Sequence, residues 1–320
     1  MKILVTGGLG FIGSNFIRYM TKEHPDCTIT NLDAMTYAGN PANLTDIEKN
    51  PRYSFVQGDI CDRHTVESVF SQHSIDTVVH FAAESHVDRS IQDSSAFVKT
   101  NVLGTQVLLD AALLHHCTRF IHISTDEVYG STATGSFKET DPLNPSSPYS
   151  ASKAASDLLS RAFYITHDLP VIVTRCTNNF GPYQFPEKLI PFFVTNLILG
   201  KNVPVYGTGK NVRDWIYVLD HCRAIDCILH QGTAGEIYNI GSDNEKTNLE
   251  ITHQILKILK KDTSSIEFVK DRPGHDWRYS LDSSKLRTIG WRPQTTFETA
   301  LEETVEWYVQ HKGWWQPLLK

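Results

Sequence analysis

The sequence predicts an α/β protein, a doubly wound parallel sheet with a smaller α+β substrate-binding lobe. Three observations lead there. The first half of the chain alternates short β-branched runs with helical patterns, the order of parallel strands joined by covering helices. Three glycines, Gly7, Gly10 and Gly13, separate the first run from the first helical pattern. From about Asn178 the alternation breaks up under Pro182, Pro186, Pro191 and Pro204 and under Gly181, Gly200, Gly207 and Gly209.

Taken in order, strands are expected at 2–6, 28–32, 53–57, 77–81, 119–124 and 170–175. Helices are expected between them at 12–22, 64–71, 96–115 and 149–166. Runs such as Val78-Val79 and Ile121-His122-Ile123 lack a polar face, as expected when helices cover both sides of a sheet. In the second half, helical patterns fall at 188–199, 218–230, 249–260 and 297–311. Phe192, Phe193, Leu197 and Leu199 read as core, and His80, inside a buried-strand pattern, as a satisfied core residue rather than a ligand.

Composition narrows the function. Of 320 residues, 40% are hydrophobic, enough for a sizeable core. Thirty Lys and Arg against 36 Asp and Glu leave a charge of −6, with no basic stripe for nucleic acid. No run approaches the ~20 apolar residues of a membrane span, and the opening residues are too short a run for a secretory leader. The six cysteines show no metal-like spacing, and no HExxH-type histidine pair occurs, so no metal is expected. These features predict a soluble, cytoplasmic protein.

The opening KILVTGGLGFIGSNFIRYM places a glycine turn between a strand and an amphipathic helix. Glycines there permit a tight turn and close approach of a pyrophosphate, which the helix N-terminus then attracts. Asp33, twenty residues past Gly13, suits the adenosine ribose and opposes a 2′-phosphate; a turn-forming acid is its bland alternative. The combination predicts NAD and a Rossmann-type domain over 1–178, with 179–320 mainly a substrate lobe. Some segments, such as 212–240, are able to return to the first domain. Asp59 fits beside the adenine or, equally, as a helix cap. Gly207-Thr208-Gly209-Lys210 is no P-loop, because the earlier glycine falls on Pro204 and Asn211 replaces the Ser or Thr.

Two segments carry the chemistry. Tyr149 and Lys153, four apart at the start of a helix, share a face, and the ammonium is expected to lower the phenol toward a useful base. Tyr206 and Lys210 match the same spacing but sit in a glycine-rich loop. Thr125-Asp126-Glu127 ends a parallel strand, where α/β folds hold ligands. Consecutive strand residues face opposite ways, so both acids reach one ligand only if the chain turns at Asp126. Two carboxyls in different environments then supply one acid and one base. Simple oxidation needs neither.

The set TGGLGFIG, FAAESHVDRS, STDEVYG, YSASK, RCTNNFGPYQFPEKLIP, RDWIYVLDH and DRPGHDWRY resembles the extended short-chain dehydrogenase/reductases. Within them it is similar to the 4,6-dehydratases that act on dTDP-glucose. Departures are Thr177, Phe180 and Trp277, where Ser, Tyr and Arg are common. The resemblance implies that Phe11, Ile12, Asp33, Asp59 and Ile60 line NAD. It adds Phe81, Ala82, Ala83, Ser85, Thr100, Tyr149, Lys153 and Asn179 to that set. For the nucleotide sugar it implies Ser85, Thr125, Asn178, Lys188, Leu189 and Pro204 through Tyr206. Arg213, Asn248, Asp271, Arg272 and His275 complete the set. Arg213 and Arg272 offer donors for a diphosphate, and Tyr206 a ring for the base.

By the same resemblance, Tyr149 removes the C4 hydroxyl proton as NAD oxidises C4, Glu127 takes the C5 proton, Asp126 protonates the leaving C6 hydroxyl, and Thr125 holds the C4 oxygen. The expected product is the 4-keto-6-deoxy sugar, in dTDP-rhamnose biosynthesis. A homodimer through the helices at 96–115 and 149–166 is also implied. A nucleotide-sugar 4-epimerase shares the NAD turn, Tyr and Lys but has no need of Asp126 and Glu127. A non-catalytic NAD-binding scaffold would have no need of Tyr149 or Lys153.

Overall fold

The strands of the computed structural model, which describes residues 1–271 and 276–319, begin with β1 (Lys2–Thr6), β2 (Thr28–Asp33), β3 (Tyr53–Gln57), β4 (Thr77–His80), β5 (Arg119–Thr125) and β6 (Val171–Cys176). These fall within a residue or two of the expected runs. The second half adds β7 (Asn178–Phe180), β8 (Val203–Tyr206), β9 (Val212–Tyr217), β10 (Ile237–Ile240), β11 (Glu245–Thr247) and β12 (Ile266–Val269). Seven strands form one parallel sheet in the order β10-β6-β5-β4-β1-β2-β3. The order reverses between β1 and β4, so the loops leaving those strands part and open a crevice at their carboxyl ends. A three-stranded sheet, β11-β9-β7, and a parallel pair, β12-β8, lie outside it.

Side chains alternate between two cores, as period-2 geometry requires. Ile3, Val5, Val79, Ile121 and Ile123 join Phe16, Ile17 and Met20 of the helix Phe11–Glu23 on one face. Leu4, Val78, Phe120 and Val173 join Val66, Phe70 and Leu108 on the other. With both faces covered, the inner strands β1 and β4 are buried along nearly their whole length, without a solvent-facing side. Truncating a fully buried ring such as Phe16 to Ala costs about 3–5 kcal/mol.

The helix Pro148–His167 starts at a capping box. Ser147 accepts from the Ser150 N–H, Ser150 reaches back, and Pro148 occupies the first turn, an arrangement worth about 1 kcal/mol. The helix is set so that its first turn faces the carboxyl ends of β5 and β6. Two expectations change. Phe193 and Leu197 are buried, but Leu199 is 40% exposed and Phe192 lines a cavity: the helix Leu189–Ile198 ends before Leu199, taking that side chain off the buried face. The helical segment Ser95–Leu114 is also long and apolar enough, by composition, to cross a bilayer, and it is half buried. His80 behaves as expected, bonded to the Thr6 and Thr105 hydroxyls at 2.7 and 3.0 Å. All six cysteines are free thiols.

Candidate active site

A cleft of about 370 Å³ opens at the β1–β4 reversal, and every residue expected to line NAD borders it. Gly10 caps the helix Phe11–Glu23 with no side chain across its N-terminus. Gly7 has φ +70°, and a Cβ on it would lie 2.7 Å from the Ala82 backbone; one on Gly13 would overlap the Gly7 carbonyl. The turn is therefore an open backbone cradle of the shape a pyrophosphate needs. Asp33 ends β2, its two oxygens accepting the Leu9 N–H at 2.9 Å and the Met35 N–H at 2.8 Å. Burial pushes its carboxyl up, and the two N–H groups oppose the shift. Asp59 is not the helix cap: Asp62 caps the helix Arg63–His73, leaving Asp59 on the cleft wall.

The segment Phe81–Ser85 is clamped from behind by Asn101. That side chain accepts the Glu84 N–H and donates to the Glu84 carbonyl and to Ser152 Oγ. Sequence reasoning missed Asn101; a buried Asn among helical apolar residues was the available signal. Asn179 also borders the cleft, with its amide engaged to the Thr177 carbonyl and the His221 ring.

The chain turns where the acids require it. After Thr125, residues Asp126–Tyr129 form a 3₁₀ turn, and Thr125 Oγ1 accepts the Glu127 N–H at 3.3 Å. Both carboxyls border the cleft. Asp126 is 3% exposed. One of its oxygens accepts the Thr125 hydroxyl at 3.2 Å; the other is buried without a hydrogen-bond partner. Burial, with the Glu127 charge beside it, holds Asp126 well above the ordinary carboxyl range, against the pull of Arg213 and Thr125. A carboxyl raised in this way is suited to donate a proton.

Tyr149 and Lys153 border the same cleft, but their electrostatics differ from the spacing argument. Lys153 Nζ donates to the Ile123 carbonyl at 2.7 Å, and burial lowers it to about 8. Burial and the Glu127 charge raise the Tyr149 phenol, with the Thr125 hydroxyl opposing. The ammonium that shares a helix face with the phenol is thus tied to a strand carbonyl.

A second cavity of about 260 Å³ adjoins the first, sharing Glu127, Asn178, Glu187 and Lys188. Leu189, Pro204, Tyr206, Arg213 and Asn248 line it as expected. Arg213 is anchored by the Val212 and Asp276 carbonyls at 2.7 and 2.9 Å and lies 4.3 Å from the Tyr279 ring centre. Ser85 and Thr125 border the larger cleft instead. Asp271 lines neither; it is exposed, with its carboxylate against Gly207 in the turn after β8. Arg272 and His275 lie outside the described residues. Sequence reasoning also missed Glu187, which accepts the Tyr37 hydroxyl at 3.0 Å and faces His86 and Arg89 at 3.5 and 3.8 Å. These partners are too far apart in the chain for spacing to reveal.

The comparisons agree with this geometry. The family model described as GDP-mannose 4,6 dehydratase matches residues 4–304. A dTDP-glucose 4,6-dehydratase of Streptomyces niveus is 54% identical over 99% of this chain and 96% of its own. The dTDP-glucose 4,6-dehydratase DesIV of Streptomyces venezuelae, solved with NAD and TYD bound, superposes with a TM-score of 0.97 at 53% identity over 99% of this chain and 100% of that one. A UDP-glucose 4-epimerase of Thermus thermophilus in complex with NAD gives 0.91 at 28% identity, covering 97% of this chain and 100% of that one. With a matched span of nearly the whole chain and relatives above half identity, the chain belongs to the GDP-mannose 4,6 dehydratase family.

Proposed function

We propose that this chain is an NAD-dependent hydro-lyase that converts dTDP-glucose to dTDP-4-keto-6-deoxyglucose. The observation that carries the reading is Asp126, buried beside Glu127 on the cleft wall, where burial and that neighbouring charge push its carboxyl well above the ordinary range. An enzyme that only oxidises or epimerises C4 has no use for that pair.

The residues present fit the cofactor: the glycine cradle and the Leu9–Asp33 contact form its pyrophosphate and ribose ends. Held there, NAD would supply a hydride acceptor for C4 and a hydride donor for C6, and its oxidised form would add positive charge to that of Lys153, which lowers a neighbouring phenol. Tyr149 takes the C4 hydroxyl proton, with Thr125 oriented by its bonds to Asp126 and Glu127 to hold the same oxygen. Once C4 is a ketone, the C5 proton is acidic and passes to Glu127, which gives it back to C5 after hydride has been returned to C6. Asp126 gives its proton to the C6 oxygen, which leaves as water. Arg213, fixed by two carbonyls and a ring, and Lys188, bonded to the Ser85 carbonyl at 3.2 Å, receive the diphosphate, with Tyr206 at the base.

Homodimerisation is part of the same proposal. Val98, Leu103 and Leu114 of Ser95–Leu114 and Leu158 and Ile165 of Pro148–His167 are exposed apolar side chains, and Val98, Leu103 and Leu159 line one shallow groove. A second copy is the occupant that would bury them. The setting proposed is cytoplasmic dTDP-rhamnose synthesis.

The test is incubation with dTDP-glucose and with UDP-glucose, followed by mass analysis for loss of one water. A sugar of unchanged mass but inverted C4 would return the chain to the epimerase reading. Tyr149→Phe should lower turnover by about 10²–10⁴ and abolish reduced-nicotinamide absorbance in a single turnover. A variant that still oxidises C4 at the native rate would remove Tyr149 from the role.

A further inference from the structure

The helix Phe11–Glu23 starts at the cleft and runs back toward the amino ends of the strands, where β2 begins. The helix Val218–Gln231 likewise ends toward the amino ends, shortly before β10. Their last turns meet there. His24 ends the first helix, and Asp226 and His230 lie one turn apart on the second. His24 Nε2 is 2.8 Å from Asp226 Oδ1, and His230 Nδ1 is 3.0 Å from the same oxygen. The three donor groups fall within 4.8 Å of one another. The two imidazoles stack with centres 4.8 Å apart and planes 17° from parallel.

Plain hydrogen bonding does not account for this cluster. His24 Nε2 and Asp226 Oδ1 are both buried, yet neither makes a hydrogen bond, because their approach lacks the direction one requires. Two ring nitrogens converging on one oxygen without bonding to it are disposed as ligands around a shared centre. The second Asp226 oxygen accepts the Tyr19 hydroxyl at 2.9 Å, the outer contact that orients a ligating carboxylate. A competing use exists for one ring only: His230 Nδ1 is also 3.0 Å from the Asp226 backbone carbonyl.

We propose that His24, Asp226 and His230 bind one zinc ion that clips the two helix ends together at the amino end of the sheet, remote from the cleft. Two imidazoles and a carboxylate suit zinc, whereas magnesium and calcium take oxygen ligands. The His230 side chain is 39% exposed, so water can complete a tetrahedral shell. No sequence motif reveals the site, since its first ligand lies some two hundred residues before the others.

The experiment is calorimetric titration of the metal-stripped full chain with zinc, alongside thermal unfolding with and without it. One zinc per chain and a raised Tm are expected, with no such effect from magnesium. His24→Asn and His230→Asn should each weaken zinc binding more than Tyr19→Phe, whose outer-shell loss costs about tenfold. Cobalt(II) substitution reads the ligand set directly, and a visible spectrum without a thiolate charge-transfer band is expected. Absence of zinc binding, unchanged affinity in both histidine variants, or a thiolate band from a site such as Cys27 would each overturn the proposal. Should the histidine variants fail to fold, the cobalt spectrum and the Tyr19→Phe titration still decide it.

Discussion

Asp126 and Asp157 are equally buried, at 3% and 2% exposure, yet their carboxyls lie on opposite sides of the ordinary range. Burial raises both. Around Asp157, on the helix Pro148–His167, the His122 ring 3.4 Å away and the Arg175 charge outweigh it and bring the carboxyl below its usual value; Arg175 Nε donates to one oxygen at 2.9 Å, and the other has no hydrogen-bond partner. Arg175 in turn donates to Tyr129 Oη at 2.7 Å, which donates to Asn239 at 2.9 Å. Asp126 has one hydroxyl on one oxygen, nothing on the other, and a like charge beside it. The carboxylate bonded to a guanidinium braces the sheet under the site, and the carboxyl with a like charge beside it faces the cleft. Depth does not distinguish scaffold from chemistry here; the partner does.

The sharpest way to break this contrast is Asp126→Asn or Glu127→Gln. Each should cut water elimination by about 10²–10⁴ while C4 oxidation persists in a single turnover. Rapid-mixing absorbance and mass analysis of the quenched sugar read the two steps separately. If the double variant still releases product at the native rate, these are loop acids.

Asp157→Asn should act on stability instead. It leaves Arg175 buried without its counter-charge, a loss of about 3–5 kcal/mol, measured by denaturant unfolding. A variant as stable as the parent would deny Asp157 its bracing role.

A third carboxyl sits between the two extremes. Asp33 is raised by burial, but two backbone N–H groups oppose the shift and hold it at the cleft, where we propose it meets a ribose. Asp33→Asn should narrow the preference for NAD over NADP by about tenfold, the factor that 1.4 kcal/mol represents. Equal binding of both cofactors by the parent chain would refute the assignment.

The smallest effect is a pH signature of opposite sign at the two buried acids. Asp126, raised on folding, contributes stability that is full below the unfolded carboxyl value and is lost as pH rises through the folded one. Asp126→Asn should therefore gain stability relative to the parent as pH rises. Asp157, lowered on folding, contributes stability that is present above the unfolded value and lost as pH falls through the folded one. Asp157→Asn should approach the parent on acidification. Unfolding midpoints across pH test both, and parallel curves would show that neither carboxyl is shifted as described.

Much of the site was legible beforehand because its parts are local. Gly7, Gly10 and Gly13 need only each other and the adjoining helix to make a cradle. Thr125, Asp126 and Glu127 are consecutive, and the condition that the chain turn at Asp126 is met by a 3₁₀ turn. What spacing misjudged was the environment of Tyr149, whose helix-mate Lys153 is directed to the Ile123 carbonyl. Glu187 and Asn101 escaped notice because their partners come from remote segments.

The sequence by itself determined the parallel sheet, the dinucleotide turn and the residue types of the reaction, because period-2 and 3.6 patterns, glycine freedom and i,i+4 spacing act over a few residues. Only the tertiary structure decided which acid is raised and which lowered, which lysine contact is made, and that the strand within the returning segment 212–240 pairs with β6. It also brought His24 to Asp226 and His230. Those outcomes depend on desolvation and on charges that segments far apart in the chain bring within a few ångströms, and no local pattern encodes either.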